Sequence, residues 1–417
     1  MKASRRWTPI LRPDKNRRLP RALQPSRVGS LAKSLPEGIH DPGFLSLLEK
    51  IESGPFHSGN HVEVFSRGDA AFAAMLGCVK EGRTEVLLES YILKDDATGQ
   101  LFADELIRAA ARGVAVRVLA DGFGSMATRR AFWSNLIRNG VEARLYHPLL
   151  ALRYLKFRDH RKILVVDRRV AFTGGMNIGD EYGSSLLPSG QVWRDTHARV
   201  EGAAAWEMAV VFQEGWEEAG GSAIGLESLV SSEGPGAGVM VLDSLPGRGS
   251  REVASVMTAI SAAARRTLWL TTAYFAPRRR AIGILGAAAR RGVDVRLLVP
   301  GRTDVPIARH AGHGFFAALL ARGVRIYEYQ PAILHAKTVV ADGLLSVVGS
   351  SNLDFRSFEL NAECNFVIVD RGTAQRMEAQ YREDLAQAVP IDRESWGRRR
   401  VLHRIGDSLA RRLAPLL

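Results

Sequence analysis

A pattern of residue types that occurs twice in the chain constrains its fold more than any other feature. Residues 159–177 read DHRKILVVDRRVAFTGGMN, and residues 334–352 read LHAKTVVADGLLSVVGSSN. In both segments a histidine is followed by a lysine, an aspartate, a glycine and an asparagine at the same offsets. Such a match in register is hard to obtain by chance. We therefore predict a chain built from two similar halves.

The sequence around these segments predicts an α/β fold. The first half contains VEVFS, a helical stretch AAFAAMLGCV and a strand EVLLESYIL; the second contains VMVLDS, EVASVMTAISAAA and LWLTTAYF in the same order. Each half continues with a helix that runs directly into a strand, AVRVLA or DVRLLV. Helices alternating with short β-branched strands predict helices that cover a mostly parallel sheet. A length of 417 residues also favours two domains over one.

Changes in composition divide the chain into five parts. Residues 1–58 form a basic, irregular N-terminal extension with one helical stretch at PGFLSLLEKI. The other parts are a first α/β domain at 59–218, a Gly-rich linker at 219–237, a second α/β domain at 238–390 and a basic amphipathic C-terminal helix at 391–417.

The composition narrows the class of protein. With 46% hydrophobic and 24% charged residues, the chain should fold as a globular protein. A net charge of +13 predicts attraction to a polyanion, either nucleic acid or an anionic lipid surface. Cys78 and Cys364 cannot supply a disulfide framework or a cysteine-based zinc site. No apolar run approaches the ~20 residues of a membrane-spanning helix, and no signal peptide is visible.

Each repeated segment presents one imidazole and one ammonium in the same direction. The apolar run after each lysine predicts a buried strand, and alternation along a strand places residues i and i+2 on one face. His160 and Lys162 should therefore point together, as should His335 and Lys337. If the two halves face each other, both pairs meet in one site.

Two histidines, two lysines and two asparagines suit displacement at a phosphodiester. Lys162, Lys337, Asn177 and Asn352 are predicted to hold the nonbridging phosphate oxygens. One neutral histidine can attack phosphorus while the other, protonated, gives its proton to the leaving alkoxide. This chemistry requires neither a metal nor a cofactor.

Four acidic residues accompany the histidines. Asp195 in WRDTHARV and Glu363 in NAECNFVIV are candidates for orienting the imidazoles, each on the strand after the asparagine of its own half. Asp167 and Asp342 complete the His-x-Lys-x4-Asp motif and belong to the candidate catalytic set. The turn that follows each of them, as in ADGLL, favours a role in holding that turn rather than contacting substrate.

The two segments carry a family resemblance. The duplicated pattern resembles the phospholipase D superfamily. More narrowly, HRKILVVDRRVAFTGGMNIGDEY, WRDTHARVEG, TAYFAPRR, VRIYEYQPAILHAKTVVADG and VGSSNLDFRSFELNAE resemble bacterial cardiolipin synthases of the phospholipase D type. The match extends over roughly residues 60–417.

The resemblance implies two homologous phospholipase D-like α/β domains, packed face to face, with one active site at their interface. It implies a covalent phosphatidyl-histidine intermediate and no metal. On the family pattern His160 would be the nucleophile, and His335 the general acid and then base. Family members commonly begin with two membrane-spanning helices, which this sequence lacks, so we expect the short, peripherally bound form.

Two further segments carry weaker signals. Apolar residues in the tail WGRRRVLHRIGDSLARRLAPLL recur every three or four positions among arginines, as in a helix that lies in a membrane plane. Docking of this helix on the second domain is the alternative. The motif HAGH at 310–313 offers two histidines one helical turn apart. We interpret them as a helix face near the mouth of the site rather than as metal ligands.

The resemblance therefore implies an enzyme of the cardiolipin synthase type that joins two phosphatidylglycerol molecules and releases glycerol. It would act at the cytoplasmic face of a bacterial cell membrane, with an anionic phospholipid bilayer as partner and without nucleic acid. A phospholipase D-type hydrolase and a metal-independent nuclease are the alternatives, because the same histidine pair cleaves other phosphodiesters. The sequence does not predict an oligomeric state.

Overall fold

The three-dimensional structure is a computed structural model. It describes residues 28–52, 54–147, 156–183, 192–226, 234–245, 252–399 and 401–413. These ranges leave out residues 1–27 of the predicted N-terminal extension, the middle of the predicted linker and the last four residues of the predicted C-terminal helix.

The described part of the N-terminal extension is more regular than expected. It contains helices α1 (Val28–Ser34) and α2 (Pro42–Glu52), which pack on a helix of the second half, α7 (Glu252–Ala263). Phe44 and Leu48 are fully buried in the core of that half. The prediction of one short helical stretch was therefore incomplete, because apolar spacing in a short helix is a weak signal until its partner surface is known.

The first half contains seven strands and four helices in its described residues. In chain order they are β1 (His57–Phe65), α3 (Gly68–Glu81), β2 (Glu85–Ser90), α4 (Ala97–Ala111), β3 (Ala115–Asp121), α5 (Arg130–Arg138), β4 (Glu142–Tyr146), β5 (Lys162–Val166), β6 (Val170–Gly174), β7 (His197–Glu201) and α6 (Ala203–Glu218).

The second half repeats this order with additions. Its strands are β8 (Ala237–Ser244), β9 (Thr267–Thr271), β10 (Phe275–Ala276), β11 (Asp294–Pro300), β12 (Arg325–Tyr329), β13 (Thr338–Ala341), β14 (Leu345–Gly349), β15 (Leu353–Asp354), β16 (Glu363–Val369) and β17 (Ala388–Pro390). After α7, its helices are α8 (Arg279–Arg290), α9 (Pro306–Leu320), α10 (Phe355–Glu359), α11 (Arg371–Ala386), α12 (Arg393–Gly397) and α13 (Val401–Leu413).

Both halves have the same sheet topology. The strand order is β1-β7-β6-β5-β2-β3-β4 in the first half and β8-β16-β14-β13-β9-β11-β12 in the second, where β17 adds an edge strand. The two sheets join through antiparallel pairing of β1 with β8, and β6 and β7 also contact β14. The duplication read from the sequence is therefore a duplication of the fold.

The expectation of a mostly parallel sheet was wrong. Only β2-β3-β4 and β9-β11-β12 are parallel, and the remaining neighbours in the large sheet of the described chain are antiparallel. The reason is that each histidine segment opens a hairpin, β5–β6 or β13–β14, which adds antiparallel strands beside the parallel ones. Within the large sheet of the described chain, parallel pairing is limited to the strands that are connected through a helix.

Helix α13 docks on α9, as the alternative to an in-plane membrane helix predicted. Asp407 and Ala410 are buried in this contact, whereas Ile405 and Leu409 are exposed by 51% and 55%. Arg411 donates a hydrogen bond to the carbonyl oxygen of Gly314 at 3.1 Å. One face of α13 is thus held by the second half, and an apolar pair remains on the outside.

Candidate active site

Each histidine segment is hydrogen-bonded to the opposite half. The backbone N–H of His160, just before β5, donates to the carbonyl oxygen of Ala362 at 2.9 Å. The N–H of His335, just before β13, donates to the carbonyl oxygen of Arg194 at 2.7 Å. Because both segments are anchored across the domain boundary, the backbone of one half sets the position of the other half's histidine.

The two predicted orienting acids also act across the boundary. Nδ1 of His160 lies 3.1 Å from Oε2 of Glu363, and Nδ1 of His335 lies 2.7 Å from Oδ2 of Asp195. Glu363 begins β16, and Asp195 lies two residues before β7, slightly outside the strand expected to carry it. With Nδ1 of each ring facing an acid, Nε2 is the nitrogen suited to meet a substrate.

The histidines and lysines share one buried environment. Burial lowers the pKa of His160 well below its usual value, and the charges of Lys162, Lys337 and His335 lower it further. Burial and Lys337 likewise lower the pKa of His335, against the opposing effect of Asp195. The same burial lowers the pKa of Lys162 to about 7 and that of Lys337 to about 8. The concentration of positive charge predicts an anionic ligand.

The two acids differ in charge state. Burial opposes ionisation of Asp195, yet Lys337 and His335 hold its pKa below the usual value. Burial raises the pKa of Glu363 to about 7, although Lys162 and Ser350 oppose this shift. Near neutral pH, His335 therefore faces a full negative charge, whereas His160 faces a carboxyl group that is partly protonated.

Both lysines fold back onto their own motif. Nζ of Lys162 donates to the carbonyl oxygen of His160 at 2.6 Å and lies 5.3 Å from the ring centre of Tyr91. Nζ of Lys337 donates to the carbonyl oxygen of His335 and lies 3.0 Å from its Nε2. The ammonium of Lys337 is thus adjacent to its imidazole, whereas that of Lys162 contacts the backbone of His160 and the ring of Tyr91.

Asn177 and Asn352 support tyrosine-bearing segments beside the histidines. Oδ1 of Asn177 accepts the backbone N–H of Ile92 at 3.2 Å, and its Nδ2 donates to the hydroxyl of Tyr182 at 3.0 Å. Oδ1 of Asn352 accepts the backbone N–H of Tyr274 at 3.2 Å. These contacts give both amides a positioning role, and direct contact with phosphate stays a prediction.

The structure does not bring Asp167 and Asp342 to the histidines. Each follows its histidine by seven residues, on the order of 20 Å along an extended strand at about 3.3 Å per residue. Each also adopts a positive φ, 51° and 52°. The carboxylate of Asp167 accepts the backbone N–H groups of residues 83–85, and that of Asp342 accepts those of residues 265–267. Their inclusion in the catalytic set is therefore corrected to a turn-holding role.

The repeated glycines allow the strands to approach the orienting acids. A Cβ atom added at Gly175 would lie 2.2 Å from Oδ1 of Asp195, and one at Gly174 would lie 2.4 Å from the carbonyl oxygen of Thr196. A Cβ at Gly349 would lie 2.4 Å from the carbonyl oxygen of Cys364. Glycine at these positions is required by close packing beneath the site.

Aromatic residues line the site and were not predicted. Tyr91 contacts the ring of His160, with ring centres 5.1 Å apart. Tyr182, Trp193 and Tyr274 surround His335 at 5.8, 5.3 and 6.2 Å. Tyr91 and Tyr274 each follow the strand before the first crossover of their half, so the repeat contained a signal for this pair.

Comparison with known proteins gives the family. A family model described as the cardiolipin synthase, PLD-like domain matches residues 75–192 and 256–385, more than half of the chain. The chain belongs to the cardiolipin synthase family of the phospholipase D superfamily. Membership makes it an enzyme of the phosphatidyltransferase class, and the resemblance read from the repeated motifs is confirmed.

Relatives match over nearly the whole chain. Cardiolipin synthase 1 of Bacillus cereus is 31% identical over 429 aligned residues, which cover 99% of this chain and 84% of the relative. The cardiolipin synthase of Geobacillus thermodenitrificans is 34% identical, covering 92% of this chain and 78% of the relative. Among solved structures, phosphatidylserine synthase from Haemophilus influenzae aligns with a TM-score of 0.69 at 14% identity, covering 89% of this chain and 97% of that one. This last likeness concerns the fold.

Within the described ranges, no helix combines the length and apolarity needed to cross a bilayer.

Proposed function

We propose that the chain is a cardiolipin synthase that transfers a phosphatidyl group from one phosphatidylglycerol to another and releases glycerol. The observation that carries the proposal is the pair of buried imidazoles, each oriented by an acid from the opposite half and each followed by a lysine that bonds the backbone of its histidine. Relatives named cardiolipin synthase at 30% to 34% identity support the choice of lipid over other phosphodiesters.

In the first step, Nε2 of one histidine attacks phosphorus and forms a P–N bond. The P–O bond to the glycerol headgroup breaks, and the second histidine donates its proton to the departing glycerol oxygen. Lys162 and Lys337 offset the charge of the nonbridging oxygens. The product is a phosphatidyl-histidine and free glycerol.

In the second step, a glycerol hydroxyl of another phosphatidylglycerol attacks phosphorus. The second histidine, now neutral, removes the proton from this hydroxyl, the new P–O bond forms and the P–N bond breaks. Cardiolipin leaves, and both histidines return to their starting protonation states. Water in place of the lipid hydroxyl would give phosphatidic acid.

The unequal acids support His160 as nucleophile and His335 as general acid. Ionised Asp195 stabilises an imidazolium at His335, the form that donates a proton. Glu363, with its pKa raised to about 7, stabilises a positive charge at His160 less, and the neutral form is the nucleophile. The assignment agrees with the family pattern, and the unequal charges of the two acids support it.

Exposed apolar side chains support access from an anionic membrane surface. Phe123 and Met126, in the loop after β3, are exposed by 47% and 63%. Gly124 between them packs against Tyr91, the ring that contacts His160. An apolar loop beside the site suits a lipid substrate held in a bilayer. We place the enzyme at the cytoplasmic face of a bacterial membrane, bound peripherally.

The product distribution tests the proposal. Purified protein incubated with phosphatidylglycerol liposomes in the presence of EDTA should form cardiolipin and glycerol in equal amounts, measured by mass spectrometry and a glycerol assay. Accumulation of phosphatidic acid alone would leave a hydrolase. Cleavage of single-stranded DNA that is lost in His160→Ala, without lipid products, would establish the nuclease alternative instead.

A further inference from the structure

The contact between α9 and α13 contains a cluster of two histidines and a carboxylate outside the active site. His310 and His313 lie one turn apart on α9, and Asp407 comes from α13. Nδ1 of His310 lies 2.9 Å and Nδ1 of His313 3.8 Å from Oδ1 of Asp407. One nitrogen or oxygen from each residue falls within 4.8 Å of the others, the spacing of ligands around one metal ion.

The hydrogen bonding of His313 points to a cation between these groups. Nε2 of His313 lies 2.9 Å from Oε1 of Glu328, so a neutral ring carries its proton on Nε2 and donates it to this carboxylate. The lone pair of Nδ1 then faces the carboxylate of Asp407. Nδ1 of His313 and Oδ1 of Asp407, 3.8 Å apart, are then two lone-pair donors that one cation can bridge.

The same arrangement matches the surroundings of metal-bound histidines. A ligating imidazole usually donates its other N–H to a carboxylate, which fixes the ring and its tautomer. Glu328 occupies this position and is itself paired with Arg309 at 2.9 Å. His313 is buried against Trp396 and Phe316, whereas His310 is half-exposed, which leaves one side open to water.

We propose that His310, His313 and Asp407 bind one transition-metal ion of the zinc class and thereby fasten α13 to α9. This replaces the interpretation from the sequence that the two histidines only form a helix face. Two imidazoles and one carboxylate favour Zn²⁺, with water as fourth ligand, over Mg²⁺ or Ca²⁺, which prefer oxygen ligands. Nη1 of Arg399 holds Oδ2 of Asp407 at 2.8 Å and leaves Oδ1 for the ion. The positive charge of Arg399 lowers the affinity without blocking the site. This proposal does not depend on the lipid reaction.

Cobalt binding tests the site by spectroscopy. Full-length, tag-free protein freed of metal by EDTA is titrated with Co²⁺, and tetrahedral coordination is read from visible d–d absorption, followed by competition with Zn²⁺. We expect one ion per chain. His310→Ala and Asp407→Asn should each weaken binding by at least about 100-fold, and Glu328→Gln by about 10- to 100-fold. Zn²⁺ should also slow hydrogen exchange in α13.

His403→Ala is the matched control, because His403 is an exposed histidine on the same helix outside the cluster. It should bind Co²⁺ like the unchanged protein. The proposal is overturned if no tetrahedral absorption develops, if the absorption survives in both His310→Ala and Asp407→Asn, or if it is lost only in His335→Ala, which would place the ion at the active site. Circular dichroism without metal confirms that His310→Ala, a half-exposed position, is folded.

Discussion

The two halves share a topology and a motif but differ in what lies beside the motif. In the first half, His160 stands between Asp159 and Arg161, both fully buried. In the second half, the residues on either side of His335 are Leu334 and Ala336, which belong to a small apolar cluster. The two halves thus share the candidate reacting groups, while the residues around these groups differ.

A third residue completes the charged cluster of the first half. Nε of Arg161 lies 2.6 Å from Oε1 of Glu89 on β2 and 3.2 Å from Oδ1 of Asp159. The strand register pairs Glu89 with Ile163 and Thr271 with Thr338, so an uncharged threonine occupies the equivalent place in the second half. One half supports its histidine segment with buried ions and the other with apolar packing. The same topology is therefore built with a buried ion cluster in one half and an apolar cluster in the other.

The comparison also shows why neither half can act alone. Glu363 of the second half orients His160, and Asp195 of the first half orients His335. The site is therefore a product of how the halves pack, and its two imidazoles are unequal because their acids are unequal.

The largest expected effect is on phosphatidyl transfer, and a donor with a different leaving group distinguishes the roles of the two histidines. His160→Ala should abolish transfer from any phosphatidyl donor, because no P–N bond can form. His335→Ala should reduce transfer from phosphatidylglycerol by about 10²- to 10⁴-fold, the usual contribution of a general acid. With phosphatidyl-p-nitrophenol, whose leaving group needs no proton, His335→Ala should still release a burst of nitrophenolate, measured by stopped-flow absorbance. A burst in His160→Ala and none in His335→Ala would reverse the assignment.

The buried ions of the first half predict the next largest effect, on stability. Arg161→Ala should lower the free energy of unfolding by about 3–5 kcal/mol, because it leaves the carboxyl groups of Glu89 and Asp159 buried without a cation. Urea unfolding followed by circular dichroism measures it.

A matched variant separates charge from volume. Glu89→Leu, Asp159→Leu and Arg161→Met combined should stay within about 2 kcal/mol of the unchanged protein, because an apolar cluster of similar volume replaces the ions, as in the second half. If Arg161→Ala costs less than this triple variant, the charges do not hold the first half together.

The sequence predicted the reacting groups better than their arrangement. Repeated offsets predicted both histidines and both lysines, whereas Asp195 and Glu363 were predicted from their strands, because they follow their histidines at different spacings. The partners of the acids could not be predicted, since the pairing of Glu363 with His160 depends on domain packing. Glu89 was missed for a similar reason, because a charged residue in a strand resembles a solvent-exposed position until its buried arginine is known.

The acids provide the third test of the comparison between halves. Asp195→Asn should reduce kcat by about 10²-fold or more, because His335 loses the charge that stabilises its imidazolium. Glu363→Gln should reduce kcat by about tenfold at neutral pH, because this carboxyl group, with a pKa raised to about 7, is already partly protonated. Initial rates of cardiolipin formation measure both. Equal losses would contradict the electrostatic distinction between the histidines.

The smallest expected effect concerns the pH dependence of kcat/KM for phosphatidyl-p-nitrophenol, which reports on the free enzyme. The leaving group of this donor needs no proton from His335, so the lowered pKa of His335 does not limit the alkaline side. A lysine offsets phosphate charge only when protonated, and its lowered pKa means that the proton is lost as the pH rises through about 7 for Lys162 and about 8 for Lys337. Activity should therefore decline on the alkaline side, by about tenfold per pH unit once a needed ammonium is lost. On the acid side it should decline only well below the usual histidine range, where His160 becomes protonated.

Arginine variants show which of the two lysines causes the decline in activity at alkaline pH. Arginine stays charged throughout this range. In Lys162→Arg the alkaline decline should therefore begin near pH 8, the pKa of the remaining Lys337. In Lys337→Arg it should begin near pH 7, the pKa of the remaining Lys162. Both variants will have lower absolute rates, because the longer side chain displaces the phosphate, but the pH at which each profile bends does not depend on that loss. Identical profiles in the two variants would show that the lysines titrate as one group, and the two halves would then be electrostatically equivalent at this position despite their different surroundings.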